Sequence, residues 1–318
     1  MLTLDEKNHI IKIDKSMRGV NLKIMAFLTA YIATIIFVFG IVIGSFLNVL
    51  IYRLPIGLDF VKINSMCTSC KHRLHWYDLF PLFSWIFLGG KCRYCKAKIS
   101  AQYPIVEALN GISYVLIYFF LCGGNAIDGL NLKLLGYMVV ASCLIVTAWI
   151  DFKHQIIPDS MWISIFVGGL FIVIDAVING EFSKEFIISK VIGMFAISGL
   201  FLIVGLVSGG RAMGGGDVKL MAAAGFVLGW KAVIVSLFIG AFAGVIFAIG
   251  RKIIAKKAML GVIPFGPFLA IGIIVSAFIG EKIFNMYLDM FIWHFEEVSR
   301  IYLYGWDLCL YYQFLRKK

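Results

Sequence analysis

The sequence predicts an all-α, polytopic membrane protein of about eight transmembrane helices with one small cytoplasmic zinc-binding four-cysteine loop. Three observations carry that prediction. First, 61% of the 318 residues are hydrophobic and 15% charged, against roughly 45–50% and about 25% in soluble domains, and the mean hydropathy is +0.93. A soluble globule is excluded. Second, the apolar residues fall into runs near the roughly 20 residues that cross a bilayer. Third, only one polar segment is long.

The runs lie at 25–52, 104–122, 134–150, 160–178, 186–207, 220–229, 232–250 and 262–280, separated by short stretches of Gly, Pro, Asn or charge. The 220–229 run is short for a span and reads as a half-span or re-entrant helix. Residues 1–24 form a charged extension with Asp5, Glu6, Asp14 and five Lys/Arg, and the apolar run that follows is too long for a signal-peptide core. Residues 281–318 mix Glu296, Glu297, Arg300 and Asp307 with aromatic residues, which predicts an interfacial amphipathic tail. The chain thus divides into the extension (1–24), a first span (25–52), the long loop (53–103), a membrane core (104–280) and the tail (281–318).

The loop carries eight Lys/Arg against Asp59 and Asp78, so the positive-inside rule places it in the cytoplasm. Counting crossings from there puts 151–159, 208–217 and 251–261 on the same side and the extension outside. The net charge of +11 is thereby read as topology and lipid contact, with no nucleic-acid partner expected. No oligomeric state follows from the sequence.

Within the loop stand Cys67-Thr-Ser-Cys70 and Cys92-Arg-Tyr-Cys95. Four thiolates at this spacing can close a tetrahedron around structural Zn²⁺, with no position left for a catalytic water. A loop of this size buries little core without such a clip. Two disulfides are the competing reading, disfavoured by a reducing cytoplasm. Cys122, Cys143 and Cys309 read as buried free thiols.

Asp151 closes the third run, and Asp217 follows Gly214-Gly215-Gly216 with Lys219 just beyond. An ionisable residue beside a span defaults to a functional hypothesis. Glycines before Asp217 let the backbone bend and another chain approach. Two carboxylates brought together share a proton, giving a base and an acid. Helix ends favour ionised Asp217 as base and protonated Asp151 as acid, with the pair titrating jointly. His154 reads as a solvated side chain and Asp159 as the N-cap of the next span.

These residues resemble a known family. Asp151 with Ile157-Pro158-Asp159, Gly214-x-Gly216-Asp217-Val-Lys219 and the four-cysteine loop together are similar to bacterial type IV prepilin peptidases. So are Gly44-Ser-Phe-Leu-Asn48 through Arg53-Leu-Pro55, Ser100-Ala-Gln-Tyr-Pro104 through Glu107, and Pro264-Phe-Gly-Pro267. The resemblance spans about residues 40–280. It implies a Gly-x-Gly-Asp aspartyl protease, with Asp151 and Asp217 as catalytic pair, that removes the basic leader of type IV prepilins or pseudopilins at the cytoplasmic membrane face. It also implies methylation of the new N-terminal amine, usually of phenylalanine, from S-adenosylmethionine. Gln102 departs from a family position that is often Arg, in the region tied to methylation. A peptidase without methylation, a proton- or cation-coupled transporter with a structural zinc loop, and a non-catalytic scaffold are the competing readings.

Overall fold

A computed structural model of the protein describes the backbone of residues 4–59, 65–122, 130–211, 213–255 and 264–315, and side chains within 23–59, 65–121, 130–211, 213–253 and 264–292. The described residues form nine α-helices: α1 (Leu4–Arg53), α2 (Phe83–Phe87), α3 (Gln102–Cys122), α4 (Leu132–His154), α5 (Asp159–Ile178), α6 (Lys184–Val207), α7 (Gly215–Leu228), α8 (Trp230–Ala255) and α9 (Gly266–Leu315). Seven helices are long and apolar enough to cross a membrane among the described residues: α1, α3, α4, α5, α6, α8 and α9. The eighth run becomes α7, whose 14 residues extend only about 21 Å at 1.5 Å per residue.

The structure moves two expected boundaries. Helix α1 begins at Leu4, so the charged extension continues the first span as backbone helix. At the other end α9 runs unbroken through 280, and its apolar stretch reaches Ile292. No proline or cap stops the helix there; instead Gly280 packs against Ala232 and stays within it. The tail side chains beyond 292, the loop lysines 256 and 257, Cys122 and Cys309 lie outside the described side chains. Cys143 is buried, as its apolar setting predicts.

Sequential helices pair, α1 with α3, α4 with α5, α6 with α7 and α8 with α9, while α4 and α7 also touch α9. The core lies where α4, α5, α7 and α9 meet, around fully buried Leu144, Ile150, Ile165, Leu220, Met221 and Leu269. Apolar side chains such as Phe195, Val207 and Phe242 point outward, a surface that water would not tolerate at this extent.

With lipid outside, helix association depends on close packing. At α1 and α3, Gly40 faces the backbone of Gly111, where a Cβ would sit 2.7 Å from its Cα. At α6 and α7, a Cβ on Gly225 would collide with the carbonyl of Gly193. Gly240 on α8 likewise lies against the backbone of Phe268 on α9. One polar cluster inside the bundle is paired across helices: Asn110 donates to the Gly40 carbonyl (2.8 Å) and accepts from Ser142 (2.9 Å), which meets the Tyr114 hydroxyl at 2.8 Å.

Candidate functional site

Asp151 lies in the last turn of α4, which stops because Gln155 turns left-handed (φ 55°) and returns its N–H to the Asp151 carbonyl. The Asp151 side chain is buried, and its Oδ2 accepts the backbone N–H of Gly266 at 2.8 Å. Gly266 opens α9. A Cβ there would come 2.7 Å from Asp151 Oδ2, so glycine alone lets the start of α9 sit on this carboxyl.

Asp217 lies in the first turn of α7, after the N-cap residue Gly214. Its carboxyl folds back on the Gly214 backbone, the reciprocal half of a capping box. Helix α9 touches both α4 and α7, and the charge of Asp151 acts directly on Asp217. The fold therefore assembles two carboxyl groups that are 66 positions apart in the sequence (217 − 151).

The neighbours sort by position. A Cβ on Gly216 would press on Ile157 at 2.9 Å, one on Gly214 would meet Asp217 Oδ2 at 3.3 Å, and Gly215 faces open space. Helix α7 begins at Gly215, so two of the three glycines are already helical. Lys219 pairs with Asp159 at 2.7 Å, and Asp159 also accepts from Trp162 at 2.9 Å. Asp159 is thus not the expected N-cap: Pro158 holds that position, and the carboxylate is drawn sideways to the lysine. His154 is exposed.

In the loop, the two Cys-x2-Cys segments fold as two copies of one hairpin. The N–H of Lys71 bonds to the Cys67 carbonyl and that of Lys96 to the Cys92 carbonyl, at 2.9 and 3.0 Å. Both lysines are left-handed, at φ 59° and 62°, and each hairpin closes with one antiparallel bridge, Met66 to Arg73 and Lys91 to Lys98. The two hairpins bring the Sγ atoms of Cys67, Cys70, Cys92 and Cys95 within 4.8 Å of one another. The 3.9 Å between Cys67 and Cys95 is close to the ~3.8 Å edge of a tetrahedron with 2.3 Å metal–sulfur bonds. Backbone N–H of Cys70 leads the groups that lower the Cys67 thiol to about 6. Four free thiols so placed can hold a metal ion.

Asp78 ties the rest of the loop to the second hairpin. It accepts from Arg93 Nε (2.7 Å), the Tyr94 hydroxyl (3.0 Å) and the His75 N–H (3.2 Å). Burial raises its carboxyl, but hydrogen bonds from Arg93, His75 and Tyr94 outweigh that and hold it below its ordinary value.

Three polar residues from the segments that carry the family resemblance tie the loop to the bundle, contacts that the sequence pattern by itself does not assign to them. Asn48 at the end of α1 donates to the Tyr103 carbonyl at 3.1 Å. Gln102 reaches both Asn48 and Lys153, two residues beyond Asp151. Buried Glu107 accepts the Leu82 N–H at 2.8 Å. Thr147, one turn before Asp151, is fully buried with no hydrogen-bond partner for its hydroxyl among the described residues.

A helical membrane bundle with two aspartates at helix ends, one of them following a glycine run, has the features of a polytopic protein of the intramembrane aspartyl type. Residues 38–121 match the bacterial Peptidase A24 N-terminal domain, and residues 138–249 match the type IV leader peptidase family. The chain is 30% identical over 282 residues to a prepilin leader peptidase/N-methyltransferase of Aeromonas salmonicida, covering 80% of this chain and 94% of that protein. It is 31% identical to the one from Aeromonas hydrophila, over 81% and 94%, and 32% identical to the one from Dickeya chrysanthemi, over 73% and 87%. The protein belongs to the type IV leader peptidase family. No solved structure matches it.

Proposed function

We propose that the protein is a membrane aspartyl endopeptidase that cleaves the leader from type IV prepilins or pseudopilins and methylates the new N-terminus. The carrying observation is the pair Asp151 and Asp217, buried and half-buried at helix ends, with Asp217 within reach of the Asp151 charge. One carboxylate takes a proton from water, whose oxygen attacks the scissile carbonyl, while the protonated partner donates to the carbonyl oxygen. Collapse breaks the C–N bond and returns a proton to the leaving amine.

The base assignment belongs to the pair. The N-terminus of α7 favours ionised Asp217, and the Gly266 N–H at the N-terminus of α9 gives Asp151 the same support. The C-terminal end of α4 by itself disfavours an ionised Asp151, but the N-terminus of α9 opposes it. Exposed Gly214 and Gly215 leave room beside Asp217 for a substrate backbone. The loop charge supports a bacterial cytoplasmic membrane with this end facing the cytoplasm.

Cys67, Cys70, Cys92 and Cys95 are the ligands of a structural Zn²⁺, which clips the two hairpins together. Methyl transfer requires S-adenosylmethionine as donor of an electrophilic methyl group. Asp78, the carboxylate at the centre of the loop, is fully engaged by Arg93, Tyr94 and His75, so no residue is assigned to the donor.

The test is intact mass of a purified prepilin after incubation with the protein and S-adenosylmethionine. Loss of the leader plus one methyl, with no cleavage by Asp151→Ala or Asp217→Ala, supports the bifunctional reading. Loss of the leader alone reduces it to a peptidase. An unchanged cognate prepilin overturns it and returns the aspartates to a transport role.

A further inference from the structure

At the end of the bundle away from the aspartates, two cavities lie side by side and share part of their walls. The first, about 210 Å³, is lined by Lys133, Asp175, Glu181, Lys190, Ser276 and Glu281. The second, about 250 Å³, is apolar, with Leu116, Ile117, Val140, Leu144, Ile273 and Ile274 in its wall. Tyr137, Leu228, Ala277 and Phe278 line both. Glu281 follows Gly266 by 15 positions on α9 (281 − 266), or about 22 Å of helix, so this region is separate from the dyad.

The polar cavity gathers five charged groups. Lys190 and Asp175 are 7% and 5% exposed, yet none of the five charged groups pairs with another across it. Lys190 instead donates to the Val227 carbonyl at 2.5 Å and lies over the Phe186 ring, and Asp175 accepts from Asn179. The Ser276 hydroxyl, on a residue 2% exposed, has no hydrogen-bond partner among the described residues. Buried charges persist when a counter-group reaches them. Three acids and two lysines leave the lining one negative charge in excess, which disfavours a purely anionic guest.

We propose that these adjoining cavities bind one aminophospholipid, its zwitterionic head in the polar chamber and an acyl chain in the apolar one across their shared wall. The phosphodiester accepts from Lys133, Lys190 and the Ser276 hydroxyl. The primary ammonium donates to Glu181, Glu281 and Asp175. The chain follows the Tyr137 and Phe278 wall into the apolar space, a division of labour that a soluble solute does not use.

Native mass spectrometry of the delipidated, detergent-purified full chain tests this with palmitoyl-oleoyl phosphatidylethanolamine and the matching phosphatidylglycerol. The expected result is one retained phosphatidylethanolamine per chain, favoured over phosphatidylglycerol by about tenfold. Ala277→Trp, which fills the junction, should abolish retention while prepilin cleavage continues; Lys133→Gln with Glu281→Gln should erase the headgroup preference. No retained lipid, equal retention of the two lipids by the wild type, or undiminished retention by Ala277→Trp overturns the proposal. The wild-type comparison decides even where a variant fails to fold.

Discussion

The cysteine loop and the helix bundle solve the same problem with different means. In the loop, Trp76 and Phe87 are 78% and 83% exposed while Cys92 is buried; four sulfurs and the Asp78 hub replace an apolar core. In the bundle, Leu144, Ile150 and Leu220 are fully buried, and glycines such as Gly193 and Gly225 bring backbones into contact. A polar segment outside lipid cannot bury enough surface to offset its ordering entropy and needs cross-links. A helix in lipid gains little from further apolar burial and needs close fit. Stability in the loop is therefore detachable, and in the bundle it is distributed.

The sharpest break in the comparison is chemical. Asp151→Asn or Asp217→Asn should lower prepilin cleavage by about 10²–10⁴-fold, with helicity by circular dichroism and zinc content by elemental analysis both unchanged. Removal of the metal comes next. Cys92→Ser should release zinc, whose binding in small structural sites is worth about 10–16 kcal/mol, open the loop to protease and end methylation. Cleavage should survive if the two regions are independent, and its loss would show that the Asn48, Gln102 and Lys153 links transmit loop order to α4.

In the bundle, Gly225→Leu should cost about 1–3 kcal/mol or more through overpacking against Gly193, read as a lower thermal midpoint with zinc retained. A smaller effect is expected in the loop from Asp78→Asn, which weakens the hydrogen bonds from Arg93, Tyr94 and His75. The sign with pH follows from its lowered value: Asp78 stabilises the loop above the unfolded carboxylate pKa of about 3.9 and the contribution fades as pH falls through the folded value. Acid titration of loop protease protection should thus be flatter at its acid limb in Asp78→Asn. Last, Lys219→Met removes an exposed, solvent-screened pair with Asp159 and should leave the thermal midpoint nearly unchanged.

Much of this was legible in the linear sequence. The spans follow from composition, because any stretch in lipid must satisfy its own backbone and be apolar outside. The cysteine tetrad follows from its spacing, because each Cys-x2-Cys fits one tight hairpin. Asp151 and Asp217 stood out as charges at the edge of apolar runs, and the shortness of 220–229 foretold α7.

What the sequence left unresolved depends on contacts between distant segments. Only the tertiary structure sets Gly266 against Asp151 across 115 positions, turns Asp159 from a helix cap into the partner of Lys219, and carries α1 and α9 through the expected tail boundaries. Local patterns fix what a segment must bury and where it must bend. Which carboxyl meets which helix end is decided by packing, since one amide N–H placed 2.8 Å from Oδ2 requires a particular glycine, and a particular helix, to arrive there.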